Sequence, residues 1–313
     1  MNFFNNEKRY NTLTEYNLYK YGKKVAKIAL NGNFTCPNKD GSKGIGGCSY
    51  CSKLGSGDFA GDKNLSLKEQ FLQIKEIMEK KWPDSLYMPY LQANSNTYAP
   101  VEKLKEIYEE VLAIDPEKTV GISIATRADC LPDDVIEYLG KLNKHTNVQI
   151  ELGLQTANEL TAKMINRCST NDEFINACQK LRKQNIEIVV HIINGLPNET
   201  YEDMMNTVSF INKLDIQGIK IHSLLVLKNT LLAKQYEEKP FHILSLEEYV
   251  KITVDQITHL NPNIIIHRLA ADGVFDDLIQ PLWTRQKLVV MNEIDKLLRK
   301  NDEYQGKYYQ NKN

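Results

Sequence analysis

Lys24-Val-Ala-Lys-Ile-Ala-Leu30 runs directly into Asn31-Gly-Asn-Phe-Thr-Cys36-Pro-Asn-Lys-Asp-Gly-Ser-Lys-Gly-Ile-Gly-Gly-Cys48-Ser-Tyr-Cys51. The first part is an apolar run of strand length. The second packs three thiols, five glycines and a proline into twenty-one residues, with the spacing C-x11-C-x2-C. Glycines let the backbone take positive φ and approach an inorganic centre closely, leaving amide N–H groups to donate to sulfide or thiolate. The stretch therefore reads as a strand that ends in a metal-wrapping loop. A structural zinc site wants four ligands, yet no histidine precedes His145 and only one C-x2-C pair is present. A [4Fe–4S] cluster also wants four cysteines, so three local ones leave one iron open to a small molecule. Both metals stay open on the residues alone, with iron–sulfur the better match to a clustered triple.

Working outward, further strand-length apolar runs occur at Leu86–Leu91, Val120–Ala125, Val148–Leu154, Ile186–Ile193, Gly218–Leu224 and Asn263–His267. Between them lie amphipathic stretches with helix-start signals: the capping boxes Ser66-Leu-Lys-Glu69 and Ser245-Leu-Glu-Glu248, and Pro132 just inside a segment beginning near Leu131. Such alternation predicts an α/β protein of parallel βα units, closing as a complete or partial barrel or as an open doubly wound sheet. No G-x-G-x-x-G follows the first strand, which weighs against a dinucleotide-binding sheet. Only the first-to-second connection breaks the rhythm, and a loop that long in a compact domain is usually functional. The tail from Trp283 reads as a helix through Lys300, followed by a polar, Tyr-rich end.

At 313 residues, 42% hydrophobic and 25% charged, the chain can bury one large core or two ordinary ones. A net charge of -1 excludes a global basic field, so any polyanion must be met by a local patch. No apolar run approaches the ~20 residues of a bilayer span, and the first residues lack a secretory pattern. The expectation is a cytoplasmic protein with no membrane partner. Six cysteines are too few for a disulfide framework in so long a chain. The expected divisions are a basic and aromatic N-terminal segment over 1–23, a barrel over 24–270 and a C-terminal helical extension over 271–313.

Cys36…Cys48-Ser-Tyr50-Cys51, placed after the first strand of a βα repeat, resembles the radical S-adenosylmethionine (SAM) superfamily. The spacing departs from that superfamily's commonest C-x3-C-x2-C and is similar to the expanded loops of its Elongator-catalytic-subunit-like branch. Other segments resemble a bacterial family of that branch linked to tRNA: Tyr90-Leu-Gln92-Ala-Asn94-Ser-Asn-Thr97, Thr126-Arg127-Ala-Asp129-Cys130, Glu151-Leu-Gly-Leu-Gln155, His191-Ile-Ile-Asn-Gly195, Gly218-Ile-Lys220-Ile-His222, Ile266-His267-Arg268 and Pro281-Leu-Trp283. The resemblance implies a partial parallel (β/α)6-type barrel with a C-terminal helical extension. It implies a [4Fe–4S] cluster on Cys36, Cys48 and Cys51 whose open iron is chelated by SAM. Reductive cleavage of SAM to a 5′-deoxyadenosyl radical would follow, with an electron donor such as flavodoxin or ferredoxin. The implied substrate is a tRNA wobble uridine, and the implied step converts a carboxymethylaminomethyl side chain to aminomethyl.

In a parallel barrel the active site lies at the C-terminal strand ends, and side chains alternate between interior and helix-facing surface. That phase turns Lys220 and His222 inward, with Gln149 and Glu151, His191 and His267 on their own strands. With SAM as ligand, Gln92, Asn94 and Ser95 suit its amino group, and Glu151 its ribose or ammonium. Thr126 and Arg127 suit its carboxylate or a substrate phosphate, Arg127 also pairing locally with Asp129. Tyr50 suits adenine, and Gln155 ends the same strand motif as Glu151. His191, Lys220, His222, His267 and Arg268 are substrate-side candidates. Cys130 follows a strand end, while Cys168 and Cys178 fall in helical pattern as packing residues.

Two patches suit RNA: Lys8, Arg9, Lys20, Lys23, Lys24 and Lys27 among Phe3, Phe4, Tyr10, Tyr16, Tyr19 and Tyr21, and Arg299, Lys300, Lys307 and Lys312 among Tyr304, Tyr308 and Tyr309. The plain alternative is a solvated face with aromatics turned to the core. Rival functions are radical chemistry on a small metabolite or protein, and a non-catalytic zinc or iron–sulfur module.

Overall fold

The computed structural model describes residues 8–271 and 276–310; Phe3, Phe4 and Lys312 of the two basic patches lie outside the described residues. After helix α1 (Leu13–Tyr21) come β1 (Val25–Asn31), α2 (Leu67–Lys81), β2 (Leu86–Gln92), α3 (Val101–Ala113), β3 (Gly121–Thr126), α4 (Asp133–Leu142) and β4 (Asn147–Gln155). There follow α5 (Glu159–Met164), α6 (Asn171–Lys183), β5 (Glu187–Asn194), α7 (Tyr201–Ile211), β6 (Gly218–Ser223), β7 (Val226–Leu227), α8 (Leu231–Glu238), α9 (Leu246–His259), β8 (Ile265–Arg268), β9 (Leu278–Gln280) and α10 (Lys287–Lys300). Seven strands form one parallel sheet in the order β1-β2-β3-β4-β5-β6-β8, curled into a partial barrel, and β7 pairs antiparallel with β9.

The strand phase is set by which residues the helices bury. Ala26, Ile28 and Leu30 of β1, Ile122 and Ile124 of β3, Val148, Ile150 and Leu152 of β4, and Ile219 and Ile221 of β6 are fully buried toward the helical layer. Truncating one such aliphatic to Ala costs roughly 2–5 kcal/mol, so a one-residue slip of register is heavily penalised. The opposite phase, including Lys27, Gln149, Glu151, His191 and Lys220, is thereby locked into the interior. Both expected capping boxes form, and Thr170 with Glu173 and Thr200 with Asp203 add two more. Pro132 is the N-cap of α4 rather than its first turn.

Two expectations are corrected and a third is narrowed. Among the described residues, part of helix α1 and of the C-terminal segment closes the N-terminal end of the barrel, away from the cysteine loop, while Tyr19, Tyr304 and Tyr308 stay exposed. Tyr16 and Lys20 both donate to Glu187, at 3.0 and 2.6 Å, where β5 begins. Arg9 pairs with Asp302 at 2.6 Å, Lys8 with Asp295, the Gln305 amide donates to Arg9 O at 2.9 Å, and Tyr10 is buried in the core cluster. Lys27 belongs to the barrel interior instead of that patch. Cys168 lies in the link between α5 and α6 with φ 56°, its thiol donating to Asn166 Oδ1 at 3.1 Å, whereas Cys178 is buried within α6.

Candidate active site

A cavity of about 1080 Å³ opens at the C-terminal ends of the strands. Cys36, Cys48 and Cys51 border it. Their loop is pinned by its own backbone and by neighbours: the Lys39 and Asp40 amides donate to Cys36 O at 2.8 and 3.1 Å, and Cys51 N donates to Cys48 O at 3.0 Å. Ser49 N donates to Ile165 O at 2.9 Å and Ser49 O accepts from Leu232 N at 2.8 Å, tying the loop to the end of α5 and the start of α8. Asn38 Nδ2 reaches Asn166 O at 2.5 Å and lies 3.5 Å from Cys48 Sγ. A hydrogen bond from the Cys51 thiol, together with Arg127 nearby, brings the Cys48 thiol down to about 6 despite burial. Tyr50 borders the cavity and packs on a small apolar cluster with Leu224 and Leu232.

The end of β2 is strained where it meets this loop. Ala93 and Asn94 are consecutive non-glycine residues with φ 77° and 61°, a conformation that costs of order 1–3 kcal/mol each and clusters at functional sites. The strain is held by Asn94 N donating to Gly55 O at 2.9 Å, Asn94 Nδ2 to Phe34 O at 2.9 Å and Ser95 N to Thr35 O at 3.1 Å. Gly55, at φ 66°, is glycine for a plain reason: any Cβ there would strike the Asn94 side chain. Asn94 Oδ1 is buried without a hydrogen-bond partner among the described residues, packed toward Gly55, and Asn94 lines the same cavity as the three cysteines. Such an acceptor suits an ammonium donor. Gln92 and Ser95 border the cavity beside it.

On β3, Thr126 Oγ1 bonds Thr97 Oγ1 at 2.6 Å, and Arg127 forks onto Asp129 at 2.8 and 2.9 Å while Lys43 approaches Asp129 at 3.2 Å. Burial alone would pull the guanidinium down, but Asp129 and the nearby thiols hold it above its ordinary value. Gln155, at φ 61° after a register shift in β4, faces the same space.

Below this rim sits a charged layer. Glu151, 1% exposed, takes ion pairs from Lys27 and Lys220 and a hydrogen bond from His191 Nε2 at 2.7 Å. Burial alone would raise the Glu151 carboxyl; Lys220, Lys27 and His191 drive it well below its ordinary value. Tyr90 lies between the two ammonium groups, its centroid 4.8 Å from Lys27 Nζ and 4.7 Å from Lys220 Nζ. The expected site residues thus share one cavity, with one exception: His267 lies beneath it, against Gly218.

Two site residues escape the sequence reading. Lys27 is legible in hindsight, since Ala26, Ile28 and Leu30 on the helix side force it inward. Arg167 carries no periodic signal: 2% exposed, it braces the end of β4 through Leu154 O at 2.9 Å and Thr156 O at 2.8 Å. Among the described residues no three His, Cys, Asp or Glu side chains converge as ligands of a single ion do. No described helix is long and apolar enough to cross a membrane.

The family model for the radical SAM superfamily matches residues 42–211, and that for the radical SAM C-terminal domain matches 216–300. The uncharacterized protein YtqA of Bacillus subtilis is 48% identical over 308 residues, covering 98% of this chain and 95% of its own. A tRNA-2-methylthio-N(6)-dimethylallyladenosine synthase of Clostridium botulinum is 26% identical over 174 residues, 54% of this chain and 38% of its own. The solved archaeal Elp3 of Methanocaldococcus infernus, lacking its N-terminus, shares the fold with a TM-score of 0.65 at 16% identity, over 90% of this chain and 64% of that one.

Proposed function

Because the chain belongs to the radical SAM superfamily, whose members bind a [4Fe–4S] cluster and SAM, we propose that it uses them to modify the wobble uridine of tRNA, at the carboxymethylaminomethyl-to-aminomethyl step. The carrying observation is the meeting, in one cavity, of the Cys36, Cys48 and Cys51 thiols with the unpartnered Asn94 Oδ1. The three thiolates would hold the cluster, and bound together the cluster and SAM supply the one-electron chemistry that takes hydrogen from a substrate.

The protein's own contribution is binding and orientation. Asn94 Oδ1, with Gln92 and Ser95, would accept from the SAM amino group. Thr126 and Arg127, preset by Thr97 and Asp129, would face its carboxylate, and Tyr50 its adenine. The strained turn at Ala93–Asn94 fixes that acceptor before the ligand arrives, so little ordering is left to be done on binding. An external one-electron donor such as a flavodoxin or ferredoxin would be required. For tRNA as substrate the support is the Clostridium botulinum relative, named for a tRNA modification, and a cavity lining that includes Lys39, Arg285 and Lys287 alongside Asp58 and Asp276.

Two measurements test this. Anaerobic reconstitution should load about four irons per chain and, with dithionite and SAM, yield 5′-deoxyadenosine; bound zinc without SAM cleavage would sink the enzyme reading. Mass spectrometry of tRNA nucleosides from cells with and without the protein should find carboxymethylaminomethyluridine accumulating in its absence, and identical profiles would remove tRNA as substrate.

A further inference from the structure

Lys27 and Lys220 both pair with Glu151, but their remaining donors fare differently. Lys27 also donates to Ser123 Oγ at 3.2 Å and Gln149 Oε1 at 3.1 Å, so its three N–H groups are used. Lys220, 6% exposed, pairs with Glu151 and otherwise rests over the Tyr90 ring at 4.7 Å. Two residues along the same inward face, His222 has its Nε2 buried with no partner among the described residues, its ring 5.2 Å from that of His191. Both Lys220 and His222 border the cavity.

The charge count in this layer is uneven. Two lysines meet one carboxylate, with Arg268 close enough to act on Lys220 and His222, and burial foremost pushes His191 down to about 4 and His222 and His267 well below their ordinary value, so the histidines add no charge of their own near neutral pH. Burial, working against the pull of Glu151, also brings Lys220 down to about 7, and an anion seated beside it would hold it as the ammonium. A buried wall with surplus positive charge and unused N–H donors is costly unless a ligand completes it. The Lys220 ammonium beside the unpartnered His222 Nε2 matches the two acceptor oxygens of a carboxylate. The cavity, at about 1080 Å³, exceeds what a single drug-sized ligand fills, leaving room for a substrate group alongside a nucleoside cofactor.

We propose that Lys220 and His222 form the seat for a carboxylate on the substrate, Lys220 as charge partner and His222 as N–H donor. This rests on the reading that the chain acts on a substrate within this cavity, and it assigns residues to the carboxylate which that reading gives the reacting group.

The test is equilibrium dialysis of cluster-loaded, SAM-saturated protein against two nucleosides, carboxymethylaminomethyluridine and aminomethyluridine, with N-ethylglycine as a base-free probe. The carboxylate-bearing nucleoside should bind the parent protein about tenfold or more tighter than its counterpart. Lys220→Met should abolish that preference, His222→Phe should reduce it about fivefold, and Lys220→Arg should restore most of it, a rescue that a folding defect does not give. An unchanged preference in Lys220→Met overturns the seat while leaving the tRNA reading standing. Loss of SAM affinity in Lys220→Met also overturns it, by assigning the seat to the cofactor. If neither nucleoside binds but N-ethylglycine binds in a Lys220-dependent way, the seat stands and the tRNA reading fails.

Discussion

Glu151 sets the electrostatics of the barrel interior, and its loss would strand two lysines in a buried layer. Glu151→Gln is expected to destabilise the fold by about 3–5 kcal/mol in urea titrations, because breaking a buried pair leaves uncompensated charge. The acid limb of stability divides between neighbours. His191, held neutral down to about pH 4, stabilises fully above its ordinary 6.5, and that contribution falls away between 6.5 and 4 as the unfolded chain takes up the proton first. Glu151, whose carboxyl is depressed, stabilises above its ordinary 4.5 and loses that only as pH falls further. His191→Asn should therefore make the stability profile shallower between pH 6.5 and 4 by one proton's share, leaving the shares of His222 and His267 and the steeper loss below. An unchanged slope in that window would place the titration elsewhere. At this scale the sequence is legible wherever period-two alternation applies: Lys220, His222 and Glu151 point inward because their Ile and Leu neighbours are claimed by helices. Arg167 is illegible because its role depends on carbonyls of β4 reached through the link after α5, and nothing in local spacing reports such a contact.

Among the elements, the cysteine loop is the one whose position depends most on a neighbour. Gly55→Ala should lower both thermal stability and iron content after reconstitution, by about 1–3 kcal/mol in the former, since positive φ and a clash with Asn94 act together. Cys48→Ala should abolish iron incorporation, whereas Cys168→Ala, at a thiol bonded to Asn166, should retain it; equal loss in both would contradict the ligand assignment. Strands are readable in the sequence to within about two residues, and helix starts where a capping box marks them, whereas the tail helix expected from Trp283 begins at Lys287 after a separate turn. The β7–β9 ladder is not readable, since strands of two and three residues carry no periodicity. Helix α1 is half legible for a different reason: Tyr and Lys side by side suit a base-stacking platform and an aromatic plug equally, and the acidic partner Glu187, far away in sequence, commits Tyr16 and Lys20 to the second.

At the level of the whole molecule, the two ends of the barrel have separate duties. The cavity lining at one end includes the three cysteines and Lys39, Arg285 and Lys287 alongside Asp58 and Asp276. Reversing the three basic charges to Glu should weaken tRNA binding and reduce the slope of log K against log salt by about 1 for each phosphate no longer neutralised. Tyr10→Ala, at the opposite end, should cost about 3–5 kcal/mol of stability while leaving that salt slope alone. The same opposite end joins the first and last described segments, through the Arg9 and Gln305 backbones. A tether, affinity handle or immobilising support attached through either segment would consequently hang on the far side from the entrance, and a bulky nucleic acid could still approach a protein anchored to a surface.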